Sequence, residues 1–329
     1  MDVPRRIVLL GKTGSGKSSL ANTIFGEDVF KISHAAISET SHSHAVTKYV
    51  DGKSITLIDT HSFFDTCKSE KLLNTEIVKC ITECAPGPHA FLIVLKVAKY
   101  TEQENVIKKI QQHFSEEAFK YAAVVFTQGD QLPEGITIEE FVNQSEYLSD
   151  LVKKCAGRCH VIDNKYWKDN KEHNYKSNQF QLAELHKTID KISEANNGSC
   201  FTNKMLKTVK TEIQREEEHI RQSSANMTQE EIRNKAKINV FDRMLIKFAG
   251  VATGALVGAL LGMTGVVTST PSGISELATP AGGRASVALA AQTAAINGVR
   301  IGYNAADRAE TPLEAVHKAA EAVWNQHAK

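Results

Sequence analysis

Between residues 5 and 196, short apolar, β-branched runs alternate with longer stretches of mixed polarity. The runs fall at 6–10, 44–50, 54–59, 89–95, 121–126 and 158–162 and read as strands. Between most of them, apolar residues recur at helical spacing, over 17–25, 69–84, 101–114 and 138–154. Strands that alternate with helices predict a mostly parallel sheet covered on both faces. The second and third runs are separated only by Asp51-Gly52-Lys53, a turn short enough for an antiparallel hairpin. The expected architecture is α/β, a six-stranded sheet with one antiparallel strand.

The pattern then changes. Residues 203–247 are highly charged, with ten Lys/Arg and seven Asp/Glu, and read as a helix broken near Ser223-Ser224-Ala225-Asn226. Met205, Leu206, Val209, Ile213 and Ile220 form a narrow apolar stripe on its first half. Residues 248–267 carry no charge and hold glycine at 250, 254, 258, 262 and 265. Twenty apolar residues can span a bilayer, and small residues four apart let helices approach closely. The preceding fifteen residues hold Arg233, Lys235, Lys237, Arg243 and Lys247 against one Asp242, a basic flank. Membrane insertion over 248–267 is therefore expected, with a soluble helix pair as the alternative. An Ala-rich stretch at 285–299 and a mixed-charge tail at 312–327 follow. Three units are expected: 5–196, 197–247 and 248–329.

Composition narrows the function classes. Of the 329 residues, 42% are hydrophobic and 23% charged, which excludes a wholly disordered chain. Lys plus Arg is 39 and Asp plus Glu 38, so the net charge of +1 gives no electrostatic case for nucleic acid. Six cysteines do not make a disulfide framework. The opening Met1-Asp2-Val3-Pro4-Arg5-Arg6 has no apolar leader core, so secretion is not expected.

The sharpest chemical signal is Gly11-Lys12-Thr13-Gly14-Ser15-Gly16-Lys17-Ser18, followed by Ser19. It satisfies G-x-x-x-x-G-K-[ST] between a strand and a helix. Glycines let the backbone curl its N–H groups onto phosphates, and the helix that follows adds its positive end. Lys17 would reach the β- and γ-phosphates, and the Ser18 hydroxyl would sit on Mg²⁺. Asp59 ends the third run, where a Mg²⁺-linked carboxylate belongs. Thr47 follows the polar stretch 31–44, which has the length of a switch loop. The fifth run leads into Thr127-Gln128-Gly129-Asp130, and a carboxylate there can accept from guanine N1 and N2. Adenine offers no such donor pair. Asp163-Asn164 after the sixth run can close the base pocket.

These residues, with Ile58-Asp59-Thr60, Phe63-Phe64-Asp65-Thr66, Gly87-Pro88-His89-Ala90-Phe91, Tyr100-Thr101-Glu102 and His160-Val161-Ile162-Asp163-Asn164, resemble the GTPases of immunity-associated proteins, the GIMAP or AIG-type family. The resemblance covers about residues 5–222. It implies a P-loop GTPase domain of small-GTPase type with extra C-terminal helices. It also implies GTP or GDP with Mg²⁺, self-association through the nucleotide face in the GTP state, and attachment to the cytosolic face of an intracellular membrane. By the same resemblance Lys17 and Ser18 hold phosphate and Mg²⁺, Thr47 is the first switch threonine, Asp59 the acidic residue of the third motif, Asp130 the base reader and Asn164 its fifth-motif partner.

Three departures from the family pattern matter. The usual Asp-Thr-Pro-Gly reads Asp59-Thr60-His61-Ser62, which puts a Cβ where a flexible glycine belongs. The usual Gly-Arg-Tyr-Thr reads Ala98-Lys99-Tyr100-Thr101, so the candidate catalytic finger is Lys99, without the planar fork of arginine. Gln128 stands where many GTPases carry lysine under the base. Nucleotide binding is expected to survive better than hydrolysis. The rivals are a nucleotide-independent membrane scaffold and a P-loop ATPase, the latter disfavoured by Asp130 and Asn164. Cys80/Cys84 and Cys155/Cys159 lack the spacing of a zinc knuckle and read as buried thiols. Trp167 falls in a polar stretch and is expected in a surface loop.

Overall fold

The computed structural model describes residues 4–30, 44–60, 63, 69–98, 104–167, 174–223, 226–248, 251 and 253–262. Six strands form one sheet: β1 Arg5–Leu10, β2 His44–Val50, β3 Lys53–Asp59, β4 Ala90–Lys96, β5 Ala122–Thr127 and β6 Cys159–Val161, in the order β2-β3-β1-β4-β5-β6. β2 runs antiparallel to β3, and every other pair is parallel. The β2–β3 turn places Asp51 at φ +49° and Gly52 at φ +75°. Two successive left-handed residues give the tight turn whose twist matches a hairpin. β5 is buried at every position and β4 at all but its last, as strands covered on both faces must be.

Helices α1 Lys17–Phe25, α2 Glu70–Cys84, α3 Glu104–His113, α4 Glu116–Lys120, α5 Ile138–Asn143, α6 Glu146–Lys154 and α7 Asn178–Ala195 connect or cover the strands. The single helix expected over 138–154 is two. Ser145 breaks it by capping α6, its side chain accepting from the Leu148 amide. α4 and α7 were not anticipated. α7 buries Leu185, Ile189 and Ile192, a stripe that follows a polar loop and is easily lost beside it.

The charged extension is a helical hairpin, α8 Lys204–Ser223 and α9 Gln229–Lys247, broken where the sequence suggested. Thr228 opens α9 with a capping box to Glu231. Glu216 of α8 binds Asn239 and Arg243 of α9, both at 2.7 Å, and Lys237 of α9 pairs with Glu83 of α2 at 2.7 Å. The hairpin therefore sits on α2. Its point of entry explains the Gly87-Pro88 segment. Gly87 has φ +149°, and a Cβ there would lie 1.6 Å from the Phe201 carbonyl oxygen. The Phe201 amide donates to Pro88 O at 2.8 Å, and the Phe201 ring meets Phe91 edge-on at 5.5 Å.

The apolar segment departs from expectation. Phe248 closes α9, and the next helix, α10 Thr253–Leu261, is nine residues long. Ala255, Leu256, Val257, Leu260 and Leu261 are buried against the domain. Asn203 holds the end of α10 by donating to Ala259 O and Leu260 O, and Asn74 of α2 donates to Val251 O. The Ser115 amide donates to Leu261 O. A twenty-residue span over 248–267 is thus not what this stretch forms up to Gly262, because α2, α3 and α8 offer it an apolar bed. Among the described residues no helix is long and apolar enough to cross a membrane. Residues 263–329, with the 285–299 and 312–327 stretches, lie outside the described residues.

Candidate functional site

The loops that carry the sequence motifs meet at the carboxyl ends of the parallel strands, where β1 lies between β3 and β4. Ligands bind open α/β sheets at such a point. β1 ends at Leu10 and the loop 11–16 turns directly into α1, whose N-cap is Gly16 at φ +88°. Gly14 also has a positive φ, +75°. Gly11 is fixed by crowding instead: a Cβ would stand 2.4 Å from Val94 O. At Gly16 the added atom would meet the Thr127 side chain at 3.1 Å. The glycines let the loop curl into a cradle packed tightly against β4 and β5, with a left-handed backbone at Gly14 and Gly16.

Lys17 is buried, and its ammonium donates to Gly11 O and Lys12 O, 3.1 Å each, which holds it across the loop. The Ser18 hydroxyl donates to Asp59 Oδ2 at 2.5 Å, so the two expected Mg²⁺ ligands already lie side by side. Ser15 Oγ is buried without a hydrogen-bond partner. A buried hydroxyl left that way is costly, and an oxyanion in the loop would satisfy it. Thr127 Oγ1 donates to Ser15 O at 2.7 Å, tying the loop to β5, and Thr60 Oγ1 donates to Leu9 O. Thr13 is exposed at the crest of the loop, and Ser19 O accepts from Thr23 Oγ1. The residues present fit a nucleotide phosphate with Mg²⁺.

On the other side of the sheet, Gly129-Asp130-Gln131 form one 3₁₀ turn after β5, with Gln128 at φ +59°. Asp130 is exposed, and Gln131 Nε2 donates to its Oδ2 at 2.5 Å. Burial and then the neighbouring Asp163 carboxyl push Asp130 above the usual carboxylate range. Asn164 Oδ1 accepts from Thr23 Oγ1 of α1 at 3.0 Å, so the loop after β6 is tied to the phosphate-side helix. Trp167 is not in an exposed loop. It is 4% exposed and its ring covers Gly129, where a Cβ would come within 2.5 Å of it. Only a glycine accepts an indole at that distance.

Of the expected site residues, Gly11, Thr13, Gly14, Ser15, Gly16, Lys17, Ser18, Ser19, Asp59, Asp130 and Asn164 share this end of the sheet. Thr47 does not. It lies inside β2, paired with Thr56, and the two hydroxyls are 2.7 Å apart. Asp59 pairs with His44 in the same ladder, so Thr47 is three positions down the strand from the Mg²⁺ ligands, roughly 10 Å at strand rise. Its assignment as the switch threonine is corrected. The other threonine between α1 and β3 outside β2 is Thr40, which falls outside the described residues with 31–43. Lys99, His61 and Ser62 also fall outside them. Thr60, Thr127 and Trp167 were not singled out as site residues, although each sits within a few positions of a motif. Cys80, Cys84, Cys155 and Cys159 are buried thiols, and burial pushes Cys155 and Cys159 up to about 12.

A family model described as the AIG1 family matches residues 5–220. The chain belongs to the AIG1 family. Immune-associated nucleotide-binding protein 8 of Arabidopsis thaliana is 35% identical over 215 residues, 64% of this chain and 59% of that protein. The chain thus spans about three fifths of that relative's length. Immune-associated nucleotide-binding protein 7 of the same plant is 31% identical over 243 residues, 70% of this chain and 76% of that protein. GTPase IMAP family member 8 of Mus musculus is 32% identical over 195 residues, 57% of this chain and 28% of that protein. Among solved structures, Toc33 from Arabidopsis thaliana in complex with GDP and Mg²⁺ overlays with a TM-score of 0.46 at 20% identity, covering 58% of this chain and 85% of that one. The AIG1 domain here is a P-loop fold, and its 11–18 loop with the Ser18–Asp59 pair fits a nucleotide phosphate with Mg²⁺.

Proposed function

We propose that this AIG1 protein is a guanine-nucleotide-binding switch or scaffold. The observation that carries the reading is the meeting, at one sheet end, of the 11–18 cradle, the Ser18–Asp59 pair and the Asp130 turn. Backbone amides of the loop and Lys17 take the phosphates, Ser18 and Asp59 would hold Mg²⁺, and Asp130 reads the base edge. Mg²⁺ in such a site neutralises charge on the β- and γ-phosphate oxygens. Hydrolysis is proposed to be slow, because Lys99 and Ser62 replace the family's arginine and glycine; an arginine finger is worth roughly 10³–10⁵ in rate. Self-association through the nucleotide face in the GTP state is part of the same proposal, supported by membership of the AIG1 family.

Location on the cytosolic face of an intracellular membrane is a separate proposal. The basic flank and the apolar composition of 248–267 support it, while the burial of α10 favours the soluble alternative for 253–261. Sedimentation of the full chain with vesicles in high salt decides between them. For the nucleotide reading, the test is affinity for GTP, ATP and xanthosine triphosphate. Wild type should prefer GTP, and Asp130→Asn should shift preference to the xanthine nucleotide. Equal affinity of wild type for ATP and GTP would remove the reading.

A further inference from the structure

Behind the base side of the site lies a carboxylate with an unusual number of bonds. Asp163, directly after β6, is 2% exposed. Its Oδ1 accepts from the amides of Lys165, at 2.8 Å, and Tyr166. Its Oδ2 accepts from the Asp130 amide at 3.2 Å. Its own amide donates to Asn178 Oδ1 at 3.1 Å, and its carbonyl accepts from Asn178 Nδ2 at 2.5 Å. Asn178 is the first residue of α7, and its amide donates to Trp167 O at 3.2 Å. Trp167 in turn covers Gly129, next to Asp130. The frame is closed: helix α7 holds Asp163, Asp163 holds the turns 129–131 and 164–166, and the indole presses the first turn from behind.

A buried carboxylate is costly unless paired or fully hydrogen-bonded. Three backbone amides meet that need here without a cation, and they draw on both base-side loops. We infer that Asp163 is a positioning residue for guanine selection, locking the Asp130 turn to the loop that carries Asn164. This inference rests on the guanine-nucleotide reading above. It adds that base discrimination depends on a residue that does not itself face the base.

Among the described residues, Lys165 faces both carboxyls, the Tyr166 amide donates to Asp163, and the Gln131 side-chain amide donates to Asp130. Burial opposes ionisation of Asp163, but its amide bonds, Tyr166 first, outweigh burial and keep it below the ordinary range. Asp130 is held above that range by burial and by Asp163. Asp130 must be ionised to accept two hydrogen bonds from guanine, so Asp163 also sets the acid limb of nucleotide binding.

The test uses the full chain with GDP, ADP and inosine diphosphate, the last of which lacks the exocyclic amine that Asp130 would read. Dissociation constants are measured for wild type, Asp163→Ala and Asp163→Asn between pH 4.5 and 7.5. Wild type should favour GDP over inosine diphosphate by about tenfold or more, the worth of one hydrogen bond to a charged group. Asp163→Ala should bring that ratio close to one while inosine diphosphate affinity changes less. Asp163→Asn keeps the shape and an acceptor, so it should recover part of the ratio and move the acid limb of GDP affinity to lower pH. A role in folding alone would not produce that shift. Should Asp163→Ala fail to fold, Asp163→Asn carries both readouts. A wild type selective for guanine whose ratio and acid limb are the same in Asp163→Asn overturns this inference alone. A wild type that does not distinguish GDP from ADP overturns it together with the functional reading.

Discussion

Two glycine-rich stretches of this molecule invite comparison: the loop 11–16 and the segment 250–262. In the loop each glycine has a local reason. Gly14 and Gly16 need a left-handed backbone, and Gly11 lies against a carbonyl of β4. In the second stretch the four-residue spacing suggests a helix–helix ridge, but the structure uses the positions unequally. Gly254 is exposed, with His113 Nε2 at 3.6 Å as the nearest atom a Cβ would meet. Gly262 ends α10 at φ +85°, where a Cβ would stand 2.7 Å from Ser115 Oγ and 2.9 Å from the Phe201 ring. A glycine pattern is informative when the flanking sequence dictates the backbone, as a strand, lysine and helix do around the loop. It misleads when the partner surface comes from elsewhere in the chain.

The comparison can be broken in several ways. Lys17→Ala should lower GTP affinity by about 100-fold, through loss of charge-assisted bonds to phosphate, as read by fluorescent-nucleotide titration. An unchanged affinity would mean the loop does not bind phosphate. Leu256→Ala should leave that affinity within about twofold yet cost roughly 2–5 kcal/mol in urea unfolding, since Leu256 is completely buried. A variant as stable as wild type would return 253–261 to the membrane reading.

Acid should loosen the face where the extension docks, at the opposite end of the sheet from the loop. His89 Nδ1 accepts from the Arg6 amide at 2.9 Å, and burial, with Arg6 and Arg5 adding, holds His89 down to about 4. Burial holds His160 down to about 4 as well. Both have folded values below their unfolded value of about 6.5, so the unfolded chain takes up protons first. Their contribution is complete above pH 6.5 and is lost as the pH falls towards 4, at roughly 1.4 kcal/mol per pH unit for each histidine. Urea midpoints that coincide at pH 7.5 and 5 would contradict this. Smaller still, Gly254→Ala should stabilise by a few tenths to about 1 kcal/mol, because helix propensity improves and nothing is displaced. Thr47→Ala should leave Mg²⁺-dependent nucleotide binding unchanged, in line with its place inside β2.

The strands and the phosphate loop could be read in advance because both rest on local patterns: short β-branched runs, a tight turn at Asp51-Gly52, and a glycine motif set between a strand and a helix. Asp130 and Asn164 were placed by their positions just past strand ends. Thr47 was misplaced although the run 44–50 reads as a strand: the switch role came from the family resemblance, and it was given to the threonine after the polar loop rather than to one inside it. Trp167, Asp163 and Asn178 form one frame across fifteen positions, and a single chain gives no periodicity for such a contact. The burial of α10 was not foreseen because composition alone does not distinguish a lipid bed from one made by α2, α3 and α8.

The contact between Phe201 and the Gly87-Pro88 corner has a bearing on synthesis. The ribosome emits β4 and its ring Phe91 more than a hundred residues before Phe201 can reach them. Until then the aromatic cluster of Phe91, Phe114 and Tyr121 lacks its cap. Nascent chains or proteolytic fragments that stop near residue 196 would present bare rings beside an otherwise formed sheet, the kind of surface that aggregates or recruits chaperones. The core of the nucleotide domain is therefore closed only once the chain has been made as far as Phe201.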